Sequence, residues 1–308
     1  MPKGFDFDVR EGLVNVLKRR FFIALILILF ASLLPDILLR ELTGQIPALL
    51  PYVKLVVLVI VFIICLKIDK LKEFSDYSLI LAVIIATEIL TKTILASEFW
   101  LSKFDHSTFV GNFGSSILLK LVAIVPIILA LFATLRVPSR FYLCKGDLSV
   151  KADKIFGIVD KNRISWGKLA MISAILISLG TFLLILVTVT GFSRPEGMDR
   201  FLSYLPLIIL LALVNSFAEG IVFRHSILGT LTNKLPKEQV ILIAAIFFGL
   251  AHYYGAPSGI IGVIMSCLLG WYLCRAKYET GGFVAPWIIH FAQDVVIFSS
   301  LILFGGWV

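Results

Sequence analysis

Apolar runs alternate with short polar and basic segments along the whole chain. The runs fall at about residues 21–39, 51–67, 77–97, 115–135, 167–191, 201–222, 238–254, 257–274 and 283–304. Each is near the ~20 residues with which an α-helix crosses a bilayer. The pattern predicts an all-α, polytopic transmembrane helix bundle of about eight to nine spans. Nine crossings follow if every run spans, and eight if the N-terminal runs are partly re-entrant. Ahead of them, residues 5–17 predict a short interfacial helix with Phe5, Phe7, Val9, Leu13 and Val16 partly buried.

Composition supports the same class. Hydrophobic residues make up 59% of the 308 and charged residues only 16%, with a mean hydropathy of +1.00. Soluble domains carry about 25% charged residues. The net charge of +8 would suit a nucleic-acid partner, but the basic residues sit between apolar runs, where they act as topology signals. No nucleic-acid partner is expected. Cys65, Cys144, Cys267 and Cys274 form no close CxxC pair, so neither a disulfide framework nor a zinc knuckle is expected. Polar and charged residues precede the first run and no A-x-A site follows it, so no cleavable signal peptide is expected.

Charge placement predicts orientation. With a cytoplasmic N-terminus and nine spans, twenty Lys and Arg fall in inside segments and five outside: Arg40, Lys54, Lys103, Arg194 and Arg200. Lys277 belongs to the inside group. Lys92, Lys120 and Arg224 lie within runs. The imbalance places the N-terminus in the cytoplasm and, with nine spans, the C-terminus outside. The domain organisation follows. Residues 1–135 form an N-terminal region of about four spans, and 136–167 a basic cytoplasmic loop with a turn at Lys145-Gly146-Asp147 and an interfacial Trp166. Residues 168–308 form a C-terminal transmembrane region. The halves share no repeat.

Candidate chemistry lies in the C-terminal half. Glu219 and Arg224 stand in an apolar helix, where a charged group costs roughly 2.5–3.5 kcal/mol. Phe248 with His252, and His290 with Asp294, lie on the following runs. If Pro236 is the tip of a helical hairpin, Glu219 lies 17 residues before it and His252 16 after, so the two come level on the order of 24 Å from the tip. His290 and Asp294 share a face by i,i+4 spacing, and Phe248 can pack beside His252 for the same reason. Gly249, Gly255, Gly259, Gly262 and Gly270 predict close helix approach. Glu219 and Arg224, five apart, point about 140° away from each other in an α-helix, which sends Arg224 to another helix, a loop, or a substrate carboxylate or lipid phosphate. His106 and His225 read as surface or interface residues.

Glu219 and His252 can activate water as general bases, with His290 and residue 294 stabilising an oxyanion. Alternatively, Glu219, His252 and His290 can hold a divalent metal such as zinc, with an open fourth position for water. Both routes hydrolyse an acyl bond inside the membrane. HExxH, GxSxG and a phosphate-binding glycine loop are absent.

These three motifs, in this order on neighbouring runs, resemble the CAAX-protease and bacteriocin-processing (CPBP, or Abi) family of intramembrane endopeptidases. The family pattern is E-E-x-x-x-R, F-x-x-x-H and H-x-x-x-N or D. It is matched here by Glu219 and Arg224, Phe248 and His252, and His290 and Asp294. The stretch from Gly270-Trp271-Tyr272-Leu273 to Thr280-Gly281-Gly282 is also similar, and the resemblance covers about residues 200–300. It implies an intramembrane endopeptidase that cleaves membrane-associated or lipidated peptides. Glu219 and His252 would activate water, and His290 with Asp294 would form the oxyanion hole. Two positions depart from the pattern. Gly220 stands where the second glutamate is usual, and Asp294 stands where the CAAX endopeptidases carry Asn. An ionised aspartate cannot donate to an oxyanion, so Asp294 is protonated, orients His290 or binds a metal.

Two other functions fit the same features. A proteolytically inactive relative would act as a membrane-protein binding scaffold, as Gly220 suggests. A proton-coupled transporter would use Glu219 as its coupling site, although related halves are not found. The expected partners are a membrane-bound or lipidated peptide and the lipid bilayer.

Overall fold

The computed structural model describes residues 5–155, 157, 159–187, 198–255 and 257–304, with the backbone alone for 5–14, 199 and 200. Among the described residues, twelve α-helices run in chain order. They are α1 Phe5–Ala31, α2 Leu34–Thr43, α3 Leu50–Lys67, α4 Ser75–Leu95, α5 Glu98–Leu101 and α6 Ser115–Leu135. There follow α7 Trp166–Ile185, α8 Met198–Glu219, α9 Ser226–Leu231, α10 Lys237–Leu250, α11 Gly259–Thr280 and α12 Val284–Phe304. The all-α expectation holds. Among the described residues, seven helical stretches are long and apolar enough to cross a membrane, and α1 with α2 makes an eighth if that pair, bent by 57°, is one span. The protein is an integral, multi-pass membrane protein.

Two local differences from the run pattern have physical causes. The first run is broken because the Ser32 hydroxyl donates to the Leu29 carbonyl and accepts from Leu34 N, and Pro35 then opens α2. The run at 238–254 yields only the 14 residues of α10, and His252 lies in the turn beyond it. Helix α1 absorbs the interfacial segment. The expected burial of Phe5, Phe7, Val9 and Leu13 and the position of Arg194 lie outside the described residues, while Val16 is exposed.

Packing divides the chain into two compact units. The first comprises residues 1–85 and 227–271. In it α10 packs on α1, and the Tyr77 hydroxyl donates to Ala24 O at 3.1 Å. Lys54, counted outside by charge, is buried in an ion pair with Asp36. Gly249 and Gly270 allow the close helix approach expected of them, whereas Gly259 has nothing within 4 Å, and Gly255 and Gly262 face the neighbouring turn at His252 and Pro257. A Cβ on Gly249 would strike Cys267, and one on Gly270 would lie 2.9 Å from the Phe248 ring.

The second unit comprises residues 86–226 and 272–308. Helix α12 packs against both α7 and α8, and α6 packs against α8. Phe109, Ile117, Ile208, Leu211, Ala212, Phe298 and Ile302 form its buried apolar cluster. The 136–167 segment is more than a solvated loop, because Phe141, Tyr142, Ala152 and Ile155 are buried. Gly146, at φ +77°, lies so close to Gly282 that a Cβ would meet Gly282 N at 2.8 Å. Trp166 is fully buried rather than interfacial, and its Nε1 donates to Glu279 at 2.8 Å.

Candidate active site

Glu219 is the last residue of α8 before a single π turn, Gly220–His225. The i→i+5 bonding of such a turn inserts an extra residue into the helix face, a distortion common at functional sites. It also changes where Arg224 points. In a regular α-helix Arg224 would diverge from the Glu219 side. Here the buried guanidinium donates from Nη2 to Ser216 O at 3.3 Å and reaches His290 Nδ1 on α12 at 3.0 Å. The expectation of a partner on another helix therefore holds.

That contact assigns the histidine tautomer. A guanidinium has only donors, so His290 Nδ1 offers its lone pair. The neutral imidazole then carries its proton on Nε2. This atom lies 3.5 Å from Glu219 Oε2 and 3.6 Å from Asp294 Oδ1. These separations are somewhat longer than ordinary hydrogen bonds. The i,i+4 pairing of His290 and Asp294 is as expected from spacing.

Two further residues complete the cluster. Lys120 on α6 donates to Glu219 Oε1 at 2.9 Å and also bonds Asn215 Oδ1. Asn215 on α8 then donates from Nδ2 to Asp294 Oδ2 at 3.0 Å. Lys120 had the sequence signal of an ionisable group within an apolar run. Asn215 had none, because a lone Asn one turn before Glu219 says nothing of α6 or α12.

Phe248 and His252 lie in the first unit. Their ring centroids are 4.4 Å apart, as the i,i+4 spacing predicts. The imidazole Nδ1 sits 2.8 Å from Phe248 O. A carbonyl can only accept, so Nδ1 carries the proton and Nε2 keeps the basic lone pair.

Beside the carboxylate cluster, still in the second unit, lies a small cleft. Its lining includes Gly220, Arg224, His225, Lys277 and the aromatic rings of Phe217, Phe283 and Trp287. His225 and Lys277 are corrections to the sequence reading. Neither is a solvated surface residue, since both are about 1% exposed. His225 Nδ1 lies 2.7 Å from Gly220 O, and Lys277 Nζ lies 2.9 Å from His225 Nε2.

Zinc requires several unoccupied lone pairs converging on one point. Among the described residues, no group of three or more His, Cys, Asp or Glu is arranged to hold a metal ion. Lys120 takes one oxygen of Glu219, and Arg224 takes Nδ1 of His290. This cluster does not fit a zinc site, and no step below runs through a metal.

Residues 201–296 match the family model described as type II CAAX prenyl endopeptidase Rce1-like. The segment contains every motif residue named above and agrees with the CPBP resemblance. It supports a membrane protease of the CAAX type. No curated protein and no solved structure matches the chain.

Proposed function

We propose that the protein is an intramembrane endopeptidase that hydrolyses peptide bonds of membrane-associated or lipidated peptides. The observation that carries this reading is the His290 tautomer. Arg224 holds Nδ1, so an N–H faces the space beside the Glu219 carboxylate. A base and an oxyanion donor thus converge, as acyl hydrolysis requires.

In this reading Glu219 takes a proton from water, and the hydroxide adds to the scissile carbonyl. The oxyanion accepts the Nε2–H of His290. Glu219 returns its proton to the departing amine, which leaves a carboxylic acid and an amine. His252 enters as a second water-activating group, on the strength of motif order and its basic Nε2. Asp294 orients His290 and is itself held by Asn215, which suits an acceptor-only side chain. The catalytic core is residues 168–308, assisted by Lys120 from the N-terminal region. The basic-residue imbalance supports a cytoplasmic N-terminus.

The test compares peptide termini in membranes from wild-type, deletion and Glu219→Ala cells. Cleaved termini that vanish in both mutants establish proteolysis through Glu219 and identify the substrates. A deletion that alters the membrane proteome while Glu219→Ala does not would replace this reading with the scaffold.

A further inference from the structure

His252 stands beyond the last turn of α10, where the helix ladder has ended. Its N–H bonds only three residues back, to Gly249 O at 2.9 Å, and its carbonyl accepts from Gly255 N at 2.9 Å. Residues in such a turn open locally at lower cost than residues inside a helix. An imidazole that must keep its place there needs support from outside α10. The two residues that follow His252 find that support on α2, within the first unit. The Tyr253 hydroxyl donates to Glu41 Oε1 at 3.0 Å. The Arg40 guanidinium lies 5.1 Å from the centroid of the Tyr254 ring, a cation–π distance.

Helix α2 is itself fixed in direction. It leaves α1 at 57° after the break at Ser32. The Lys54 ammonium of α3 donates to Ser32 O at 2.8 Å and is paired with Asp36, one turn before Arg40. Both members of this pair are buried. A buried ion pair adds little net stability, and its best-attested use is to fix register. Here it ties the bend to α3. Asp36, Ile37, Arg40 and Glu41 occupy one arc of about 140° on α2. Leu38 and Leu42 lie on the opposite arc and are 49% and 81% exposed. A helix that served only as an interfacial anchor would turn its charges to water. This one turns Asp36 to Lys54 and Glu41 to Tyr253.

We propose that α2 is a brace for the His252 turn, with Glu41 and Arg40 as positioning residues that hold Tyr253 and Tyr254 and, through them, the His252 imidazole. Its effect on turnover rests on the reading in which His252 activates water, whereas its hold on the turn does not.

The experiment uses full-length protein in phosphatidylcholine vesicles and two readouts. One is cleavage of a fluorogenic prenylated peptide, resolved into kcat and KM. The other is the rate at which diethyl pyrocarbonate acylates each histidine, read by mass spectrometry without any turnover. Exposed His106 serves as the internal control. Glu41→Ala and Tyr253→Phe should each lower kcat about threefold to tenfold with KM unchanged, the factor of one net hydrogen bond. Each should raise the His252 acylation rate by about the same factor and leave His106 unchanged. The double variant should equal either single one, because both remove the same bond. Glu41→Gln keeps the acceptor oxygen and should recover both readouts. Additive effects, or a Glu41→Gln variant that behaves like Glu41→Ala, overturn the brace. A raised His252 rate with kcat unchanged in active protein overturns the positioning role. Cleavage with a His252 rate that stays at the wild-type value in Glu41→Ala and Tyr253→Phe rejects the brace and keeps the protease. A raised His252 rate in protein that cleaves nothing through Glu219 keeps the brace and rejects the protease.

Discussion

Lys120 Nζ donates to Glu219 Oε1 at 2.9 Å, from a helix outside the family-matched segment. The same ammonium bonds Asn215, whose amide reaches Asp294. One lysine thus positions both carboxylates around His290. Lys120→Met is expected to lower kcat roughly tenfold or more with little change in KM, because it disturbs the base rather than peptide binding. Lys120→Arg should recover part of the loss. A matching rise in KM would show that Lys120 acts on binding instead.

Arg224 controls the proton on His290 rather than touching the reacting carbonyl. In Arg224→Met the imidazole is no longer confined to the Nε2–H form. The expected cost is up to ~10²–10³ in kcat, the effect of removing one oxyanion donor. His290→Ala should show a loss of similar size, and the double variant should be little worse than either single one. Additive losses would separate the two residues.

Glu279 ties the 136–167 segment to α11. It pairs with Arg275 at 2.9 Å and accepts from Asp153 N at 3.0 Å and from Trp166 Nε1 at 2.8 Å. Both charged side chains are under 10% exposed. Removing one partner of a buried pair costs about 3–5 kcal/mol. Glu279→Ala should therefore lower the unfolding midpoint in detergent well beyond Glu88→Ala, which breaks the more exposed pair with Lys92.

Gly282 permits a close backbone approach between distant segments, since a Cβ there would collide with Gly146 N and the Cys144 carbonyl. Gly282→Ala should undock the 144–147 turn. The thiol of Cys144, which donates to Gly281 O at 3.1 Å, then becomes a reporter. Its alkylation rate should rise in Gly282→Ala and stay unchanged in Gly180→Ala, where a Cβ meets nothing within 4 Å.

Asp147 supplies a pH-dependent contribution. Its carboxyl accepts from the Ser149 hydroxyl at 2.6 Å and Ser149 N at 2.8 Å, bonds that hold it below the ordinary carboxylate value. They favour the ionised form in the folded state. Their stabilisation is full above the ordinary value of ~3.9 and is lost as pH falls through the lowered folded value. Asp147→Asn should lower the unfolding midpoint at neutral pH, and its difference from wild type should shrink in acid. A constant difference would locate the effect outside this ionisation.

Hydrophobic runs of bilayer length were legible in the sequence because lipid forces each spanning segment to satisfy its own backbone. The i,i+4 pairs were legible too, since one helix defines them. Phe248 meets His252, and His290 meets Asp294. Residues whose role depends on a neighbouring helix were misread. Lys277 and His225 are buried where the sequence suggested solvated groups, because composition assigns such groups to water unless a buried partner is known. Arg224 reaches another helix as expected, but the π turn that aims it at His290 leaves no period in the sequence.

By itself, then, the sequence determined that this is a helical membrane protein with an acid and two histidines in ordered motifs. Those properties rest on local periodicity and on the cost of charge in lipid. Only the tertiary structure decided that Lys120 and Asn215 join Glu219 and Asp294, that Arg224 sets the His290 proton, and that Lys277 reaches His225. Each depends on which faces of α6, α8, α11 and α12 meet. Side-chain packing between helices distant in the chain makes that choice, and no single helix encodes it.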